Sequence, residues 1–158
     1  LHIETKDSDS NIEKVVDIGF VGQPVKLDKS IITNIINKGE IPVIAPLGVD
    51  NNNFTYNINA DTVSGFIAGE LKASKLLLLT DVPGILDNSK KLISSLSIKE
   101  AKIILNKEFI SGGMKPKIET CINAMEKGVE KSTILDGRIP HSVILELFTE
   151  HGIGTQLV

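Results

Sequence analysis

Residues 76–79 are four consecutive leucines, set between Lys75 and Thr80. A run that short cannot span a bilayer, and nothing else in the chain approaches the length that would. Because it does not alternate apolar with polar, it predicts a strand covered on both faces, as in parallel sheets sandwiched by helices. The flanks offer such helices. Residues 60–73 carry apolar side chains at 60, 63, 67, 68 and 71, one stripe of an amphipathic helix. Residues 98–105 and 116–127 predict two more helices, 132–135 a strand, 140–149 a helix and 154–158 a last strand.

Upstream the pattern is looser. Residues 1–14 are mostly polar and read as a frayed hairpin or loop. Residues 15–22 read as a short strand or approach loop broken by glycines. Residues 30–38 have Ile31, Ile32, Ile35 and Ile36 at helical spacing, with Gly39 where a helix would stop. Residues 41–46 predict a buried strand ended by Pro46, residues 50–53 a turn, and residues 54–58 an alternating strand. Strands alternating with helices define an α/β layered sandwich with a largely parallel central sheet flanked by helices. With no repeat, low-complexity segment or linker, residues 1–158 read as a single α/β domain.

Composition narrows the function classes. The chain has 17 Lys+Arg against 20 Asp+Glu, a net charge of -3. Such a surface has no general pull toward nucleic acid or anionic membrane, so neither is an expected partner. A hydrophobic fraction of 41% argues against disorder. One cysteine excludes an internal disulfide and a cysteine-rich zinc site, which makes a reducing cytoplasm the expected setting. No signal peptide is evident at the polar start. His2, His141 and His151 lack metal-ligand spacing, and Cys121 falls on an apolar helical stripe, as a core thiol would.

Three stretches could carry chemistry. In Asn57-Ile58-Asn59-Ala60-Asp61, at a strand-to-helix junction, Asn59 suits an N-cap and Asp61 the first helical turn. The same residues stand where open α/β sheets bind ligands, so Asn57 could hold a polar substrate and Asp61 orient a cation. Thr80-Asp81-Val82-Pro83-Gly84-Ile85-Leu86-Asp87 leaves the leucine strand. It is either an ordinary Pro-Gly turn or a ligand loop at a strand's carboxyl end. Neither G-x-x-x-x-G-K-[ST] nor G-x-G-x-x-G occurs in the chain.

The most informative stretch is Ser111-Gly112-Gly113-Met114-Lys115-Pro116-Lys117. Pro116 suits a first helical position, with Ile118, Cys121, Ile122 and Met125 as the buried stripe. Lys117 would then sit in the first turn against the macrodipole, at a cost of about 0.3–1 kcal/mol. Flexible glycine backbone, a helix start and a lysine together describe an anion site, with phosphate the best candidate. Asp136-Gly137-Arg138 reads as a turn, with an arginine that could reach a ligand or neighbouring subunit.

Taken in order, these blocks resemble the amino acid kinase family. The blocks are Asp17-Ile18-Gly19-Phe20-Val21-Gly22, Ile41-Pro42-Val43-Ile44-Ala45-Pro46, Tyr56-Asn57-Ile58-Asn59-Ala60-Asp61, Leu79 through Ile85, Ser111 through Lys117, Ile134 through His141, and Gly152-Ile153-Gly154-Thr155. The N-x-N-A-D and D-G-R-x-P-H blocks are similar to the branch acting on N-acetylglutamate rather than glutamate, aspartate, carbamate or UMP.

The resemblance implies transfer of the ATP γ-phosphoryl group, with Mg²⁺, to the γ-carboxylate of N-acetyl-L-glutamate in arginine synthesis. It implies that Asn57, with Asn59 beside it, binds the acetylated substrate, that Asp61 organises catalytic lysines, and that Lys117 stabilises the transferring phosphoryl group. Around the nucleotide it sets Thr80, Asp81, Val82, Pro83, Gly84, Ile85, Leu86, Phe109, Ile110, Ser111, Gly113 and Met114. It further implies that this chain is the carboxy-terminal, ATP-binding half, without an amino-terminal half that carries a phosphate loop, a second lysine and a substrate-gripping arginine. Alone it would be inactive, and the full-length form a homo-oligomer. The Glu150-His151-Gly152-Ile153-Gly154 tail could belong to an effector site for arginine. The alternatives are another amino acid kinase, such as glutamate 5-kinase, or a non-catalytic module binding nucleotide or arginine.

Overall fold

The computed structural model describes residues 2–7, 10–17, 19–110, 112–150 and 152–158, with backbone alone for 2–17. By internal contacts the chain divides into two compact units, Leu1–Val63 and Ser64–Val158.

The first unit opens with an antiparallel pair, β1 (His2–Asp7) and β2 (Ser10–Asp17), in keeping with the hairpin reading of the amino-terminal residues. Helix α1 (Lys29–Asn37) starts where Asp28 accepts the Ser30 amide at 3.0 Å and stops before Gly39, whose φ of 77° ends the helical path. Of its four isoleucines only Ile32 is buried; Ile31 and Ile36 are exposed. A second antiparallel pair joins β3 (Leu47–Val49) to β4 (Thr55–Asn57) across a turn built on Asp50, whose carboxylate accepts the amides of Asn52 and Phe54.

The strand expected over residues 41–46 is not formed. Ile41 is 89% exposed and Val43 95% exposed. High β-propensity is a preference for a pleated, half-buried surface, and a strand needs a neighbour to accept its backbone hydrogen bonds. The strand of this region is instead the neighbouring β3, which β4 does pair.

The second unit is a four-stranded sheet in the order β5-β7-β8-β6. Its strands are β5 (Lys75–Thr80), β6 (Ser95–Leu96), β7 (Lys131–Asp136) and β8 (Thr155–Leu157). β5 runs parallel to β7 and β6 to β8, while β7 and β8 are antiparallel, so the sheet is largely parallel as expected. The leucine run forms β5, but its faces differ. Leu76 and Leu78 are buried, whereas Leu79 is 48% exposed.

Helix α2 (Ala60–Leu71) begins in the first unit and continues into the second. Asn59 caps it, its side chain accepting the Thr62 amide at 3.1 Å. The buried face of α2 is Gly65, Ala68 and Gly69 rather than a stripe of large side chains, because Gly65 lies directly against Thr120. Thr120 belongs to α4 (Met114–Glu126). Helix α3 (Ile98–Ile104) carries a reciprocal capping box between Ser97 and Glu100, and α5 (Ser142–Phe148) precedes β8. Ile85, Ala101, Ile118, Cys121, Ile134 and Leu157, each at 0% exposure, form the heart of the core between helices and sheet.

Helix α4 starts two residues earlier than its sequence suggested. Gly113 is the N-cap, Pro116 the third helical residue and Lys117 the fourth. Proline is tolerated there because the first four amides of a helix have no intrahelical acceptor to lose.

Candidate functional site

Because β5 and β7 are parallel and in register from Lys75↔Lys131 to Thr80↔Asp136, their carboxyl ends finish side by side. Beyond that edge the chain leaves β5 through residues 81–86, and α4 begins nearby after a glycine pair. Between the two lies a cavity of about 500 Å³. Its walls are Thr80, Asp81, Val82, Gly84, Leu86, Phe109, Ile110, Gly113, Met114 and Lys117. Open α/β sheets bind ligands at such a carboxyl edge.

Several features hold this loop in place. Gly84 adopts φ 146°, a conformation L side chains rarely take, and a β-carbon there would press on Thr155. The buried Thr155 hydroxyl accepts the Ile85 amide at 2.8 Å. Farther on, the Asp87 carboxylate accepts the amides of Ser89 and Lys91, closing the turn. With glycine at its N-cap, α4 has no capping side chain over its first amides, and an anion is the ligand such amides accept. Lys117, half-buried, adds a cationic side chain to the same wall.

The cavity therefore gathers ten residues that the sequence singled out. Pro83 is exposed on the loop and Ile85 is buried in the core, and neither lines the cavity. Ser111 and His151 lie outside the described residues. Asn57, Asn59 and Asp61 belong to the first unit. Asn57 exchanges backbone hydrogen bonds with Phe20 and Gly22, donating at 2.8 Å and accepting at 3.0 Å. Asp61 occupies the first turn of α2.

One pair emerges where the sequence offered a turn with an arginine that could reach a ligand or neighbouring subunit. The Arg138 guanidinium donates to Asp136 through Nε at 2.9 Å and Nη2 at 2.7 Å, and its amide donates to the same carboxylate at 2.9 Å. These bonds, the side-chain ones foremost, pull the Asp136 carboxyl down to about 2, so it is ionised at neutral pH. The only sequence signal was the two-residue spacing of opposite charges after a strand.

A second cavity, of about 340 Å³, is lined in part by Lys75, Lys131, Glu146, Glu150, Gly152 and Gly154. Glu146 is 8% exposed, and its Oε2 accepts the amides of Ile153 at 2.8 Å and Gly154 at 3.3 Å.

A layered α/β sheet whose carboxyl edge opens on a glycine-flanked helix start with a lysine is the architecture of an α/β protein with an anion-binding edge. The family model described as the amino acid kinase family matches residues 2–136, and the chain belongs to that family. Acetylglutamate kinase of Mesorhizobium japonicum is 56% identical over 96% of this chain and 51% of its own length. Acetylglutamate kinase of Afipia carboxidovorans is 58% identical over 94% of this chain and 50% of its own. The chain thus spans about half the length of the curated relatives it matches. Among solved structures it is similar to N-acetylglutamate synthase from Neisseria gonorrhoeae complexed with coenzyme A and L-arginine. That likeness has a TM-score of 0.84 and 30% identity over 90% of this chain and 33% of the other. Carbamate kinase from Giardia lamblia bound to AMP-PNP shares the fold, with a TM-score of 0.66 and 18% identity over 99% of this chain and 52% of the other.

Proposed function

We propose that this chain is the nucleotide-binding half of a kinase that transfers the γ-phosphoryl group of ATP to the γ-carboxylate of N-acetyl-L-glutamate, a step of arginine biosynthesis. The observation that carries the reading is the cavity at the carboxyl edge of β5, where Asp81, Gly113 and Lys117 share one wall system. Phosphoryl transfer asks a protein mainly for positioning and for charge neutralisation. The α4 amides and Lys117 supply positive potential without proton transfer, and the apolar side chains of Leu86, Phe109, Ile110 and Met114 suit a nucleobase.

The donor set fits Mg²⁺ arriving with the nucleotide. Among the described residues no group of three or more His, Cys, Asp or Glu could hold a metal. Mg²⁺ is usually held by one or two carboxylates together with phosphates and waters, which the single cavity carboxylate of Asp81 suits. The bound nucleotide would bring the transferable phosphoryl group; the chain's part is to orient it and neutralise its charge. Asn57 and Asp61 are assigned to acetylglutamate and to lysine positioning by the same reading. The complementary half of the family fold would supply the remaining contacts, so the chain alone would bind acetylglutamate poorly and would not turn over.

Calorimetric titration of a non-hydrolysable ATP analogue with Mg²⁺ into the purified chain tests this. One-to-one saturable binding is expected; no binding by a folded chain would overturn the reading. In enzyme reconstituted with the complementary half, Lys117→Ala should lower kcat by about a hundredfold, a typical loss for one transition-state donor. Unchanged kcat would remove Lys117 from that role.

The second cavity favours a companion reading, an effector site for free arginine. Arginine carries a carboxylate and a guanidinium, and the cavity offers both signs, Lys75 and Lys131 against Glu146 and Glu150. An arginine-dependent rise in melting temperature, lost in Glu150→Ala, is expected. The same rise with Glu150→Ala would set this reading aside.

A further inference from the structure

We propose that Arg138 is a positioning residue of the nucleotide cavity, locked onto Asp136 at the end of β7 so that its charge holds Asp81 and the loop that follows it at the end of β5. The inference rests on the nucleotide reading of that cavity. Thr80 and Asp136 face each other across β5 and β7, and the Gly137 amide donates to the Thr80 carbonyl at 2.8 Å. Gly137 also approaches Leu79 closely enough that a β-carbon would sit 3.2 Å from the leucine's own. The turn carrying Arg138 is therefore braced against the last two residues of β5.

Asp81 comes next in the chain. Its carboxylate accepts from the Thr80 hydroxyl at 3.3 Å and lines the cavity. β7 thus ends in Asp136, while Asp81 follows directly on the end of the adjacent β5 and lines a cavity expected to receive a polyanion. A carboxylate so placed repels phosphates unless a cation stands with it, Mg²⁺ or a side chain. Arg138, bonded to Asp136, adds a cation whose field reaches Asp81. Bonded bidentately to Asp136 at 2.9 and 2.7 Å, it cannot swing away freely. Its proton affinity is raised first by the Asp136 hydrogen bond and charge, and to a lesser degree by the charge of Asp81. Two-thirds of the side chain, 66%, remains exposed, so the residue contributes charge and orientation rather than core packing.

Titration of the non-hydrolysable ATP analogue into the parent chain, Arg138→Ala, Asp81→Asn and the double variant tests the coupling. Arg138→Ala should weaken binding roughly tenfold, Arg138→Lys less, and Arg138→Ala should cost little once Asp81 is already Asn. Additive losses would mean that Arg138 acts on the nucleotide directly and would overturn the proposal, as would unchanged affinity in Arg138→Ala. Hydrogen exchange without ligand gives an independent reading. The amides of Val82 and Gly84 should exchange faster in Arg138→Ala than in the parent, and equal rates would sink the proposal. Absence of nucleotide binding in the parent would instead remove the kinase reading, leaving exchange to decide the role of Arg138. Should Arg138→Ala fail to fold, Arg138→Gln, neutral and of similar reach, takes its place in each comparison.

Discussion

The two units of the chain solve the burial problem to very different degrees. In Ser64–Val158 the sheet is covered by α3 and α4, and side chains such as Ile118, Ile134 and Leu157 are at 0% exposure. In Leu1–Val63 the described side chains include only Ile32 and Ile58 as buried apolar residues, while Val25, Ile41 and Val43 are each at least 89% exposed. What order the first unit has comes largely from local devices: the Asp28 cap, the Asp50 turn, and Phe20 against Phe54 and Tyr56, with ring centroids 6.4 and 5.8 Å apart. Stability should therefore reside in the second unit.

The largest expected effect tests that contrast directly. Ile118→Ala should cost about 2–5 kcal/mol in urea unfolding, the transfer loss plus the cavity left in a close-packed core. Val43→Ala should change stability by less than about 0.5 kcal/mol, because its side chain already meets solvent. Comparable losses from the two would mean that the first unit buries this residue in solution, and the contrast would fail.

Thr155→Val probes the join between core and cavity loop. The variant keeps the shape but removes the oxygen that accepts the Ile85 amide in a buried setting. A stranded buried donor costs about 1–3 kcal/mol. The measurement is chemical denaturation, with exchange at Ile85 as the local report. Unchanged exchange there would show that the loop does not hang on this bond.

The sequence made the second unit legible because its signals are self-consistent. Four leucines, the helical stripe of Ile118, Cys121 and Ile122, and the strand at 132–135 each find partners within the same unit, so local preference and tertiary packing agree. The cavity residues of the loop after β5 and of the α4 start were legible for the same reason, since strand end and helix start are both written locally, whereas Phe109 and Ile110 came only through the family resemblance. Where the partner was missing, the reading failed. Residues 41–46 carry as strong a strand signal as β5, but no described strand pairs them. The α2 stripe misled in another way, because close approach to Thr120 at Gly65 and to Lys127 at Gly69 selects glycine over larger side chains. The Asp136–Arg138 clamp was invisible as geometry, because a two-residue separation of charges does not say which strand end the pair braces.

Acid titration gives the third test. A carboxyl held at about 2 in the folded chain, against about 3.9 unfolded, contributes stability that is present above pH ~4 and lost as pH falls toward 2. The Asp136→Asn variant should show a smaller drop in melting temperature between pH 5 and pH 2.5 than the parent. The remaining drop has sources in the first unit. There the Ser30 hydroxyl and amide lower the Asp28 carboxyl, and the Phe54 amide foremost lowers that of Asp50. An identical drop in parent and variant would assign the acid response wholly to other groups.

The smallest effect concerns the surface of the stable unit. Lys102 on α3 meets Glu126 on α4 at 2.6 Å, with the side chains 55% and 47% exposed. An ion pair in that setting gains little, because water screens it and ordering two long side chains costs entropy, leaving about 0.2–1 kcal/mol. A double-mutant cycle of Lys102→Ala and Glu126→Ala should return a coupling in that range, and a smaller one when salt is raised. If the coupling approached the cost of Ile118→Ala, the helices would be held by their surface charges as much as by the core beneath them. The difference between the two units would then be one of surface electrostatics rather than of burial. A small, salt-sensitive coupling leaves burial as what separates them, since α3 and α4 then stay in place through Ala101, Ile118 and Cys121.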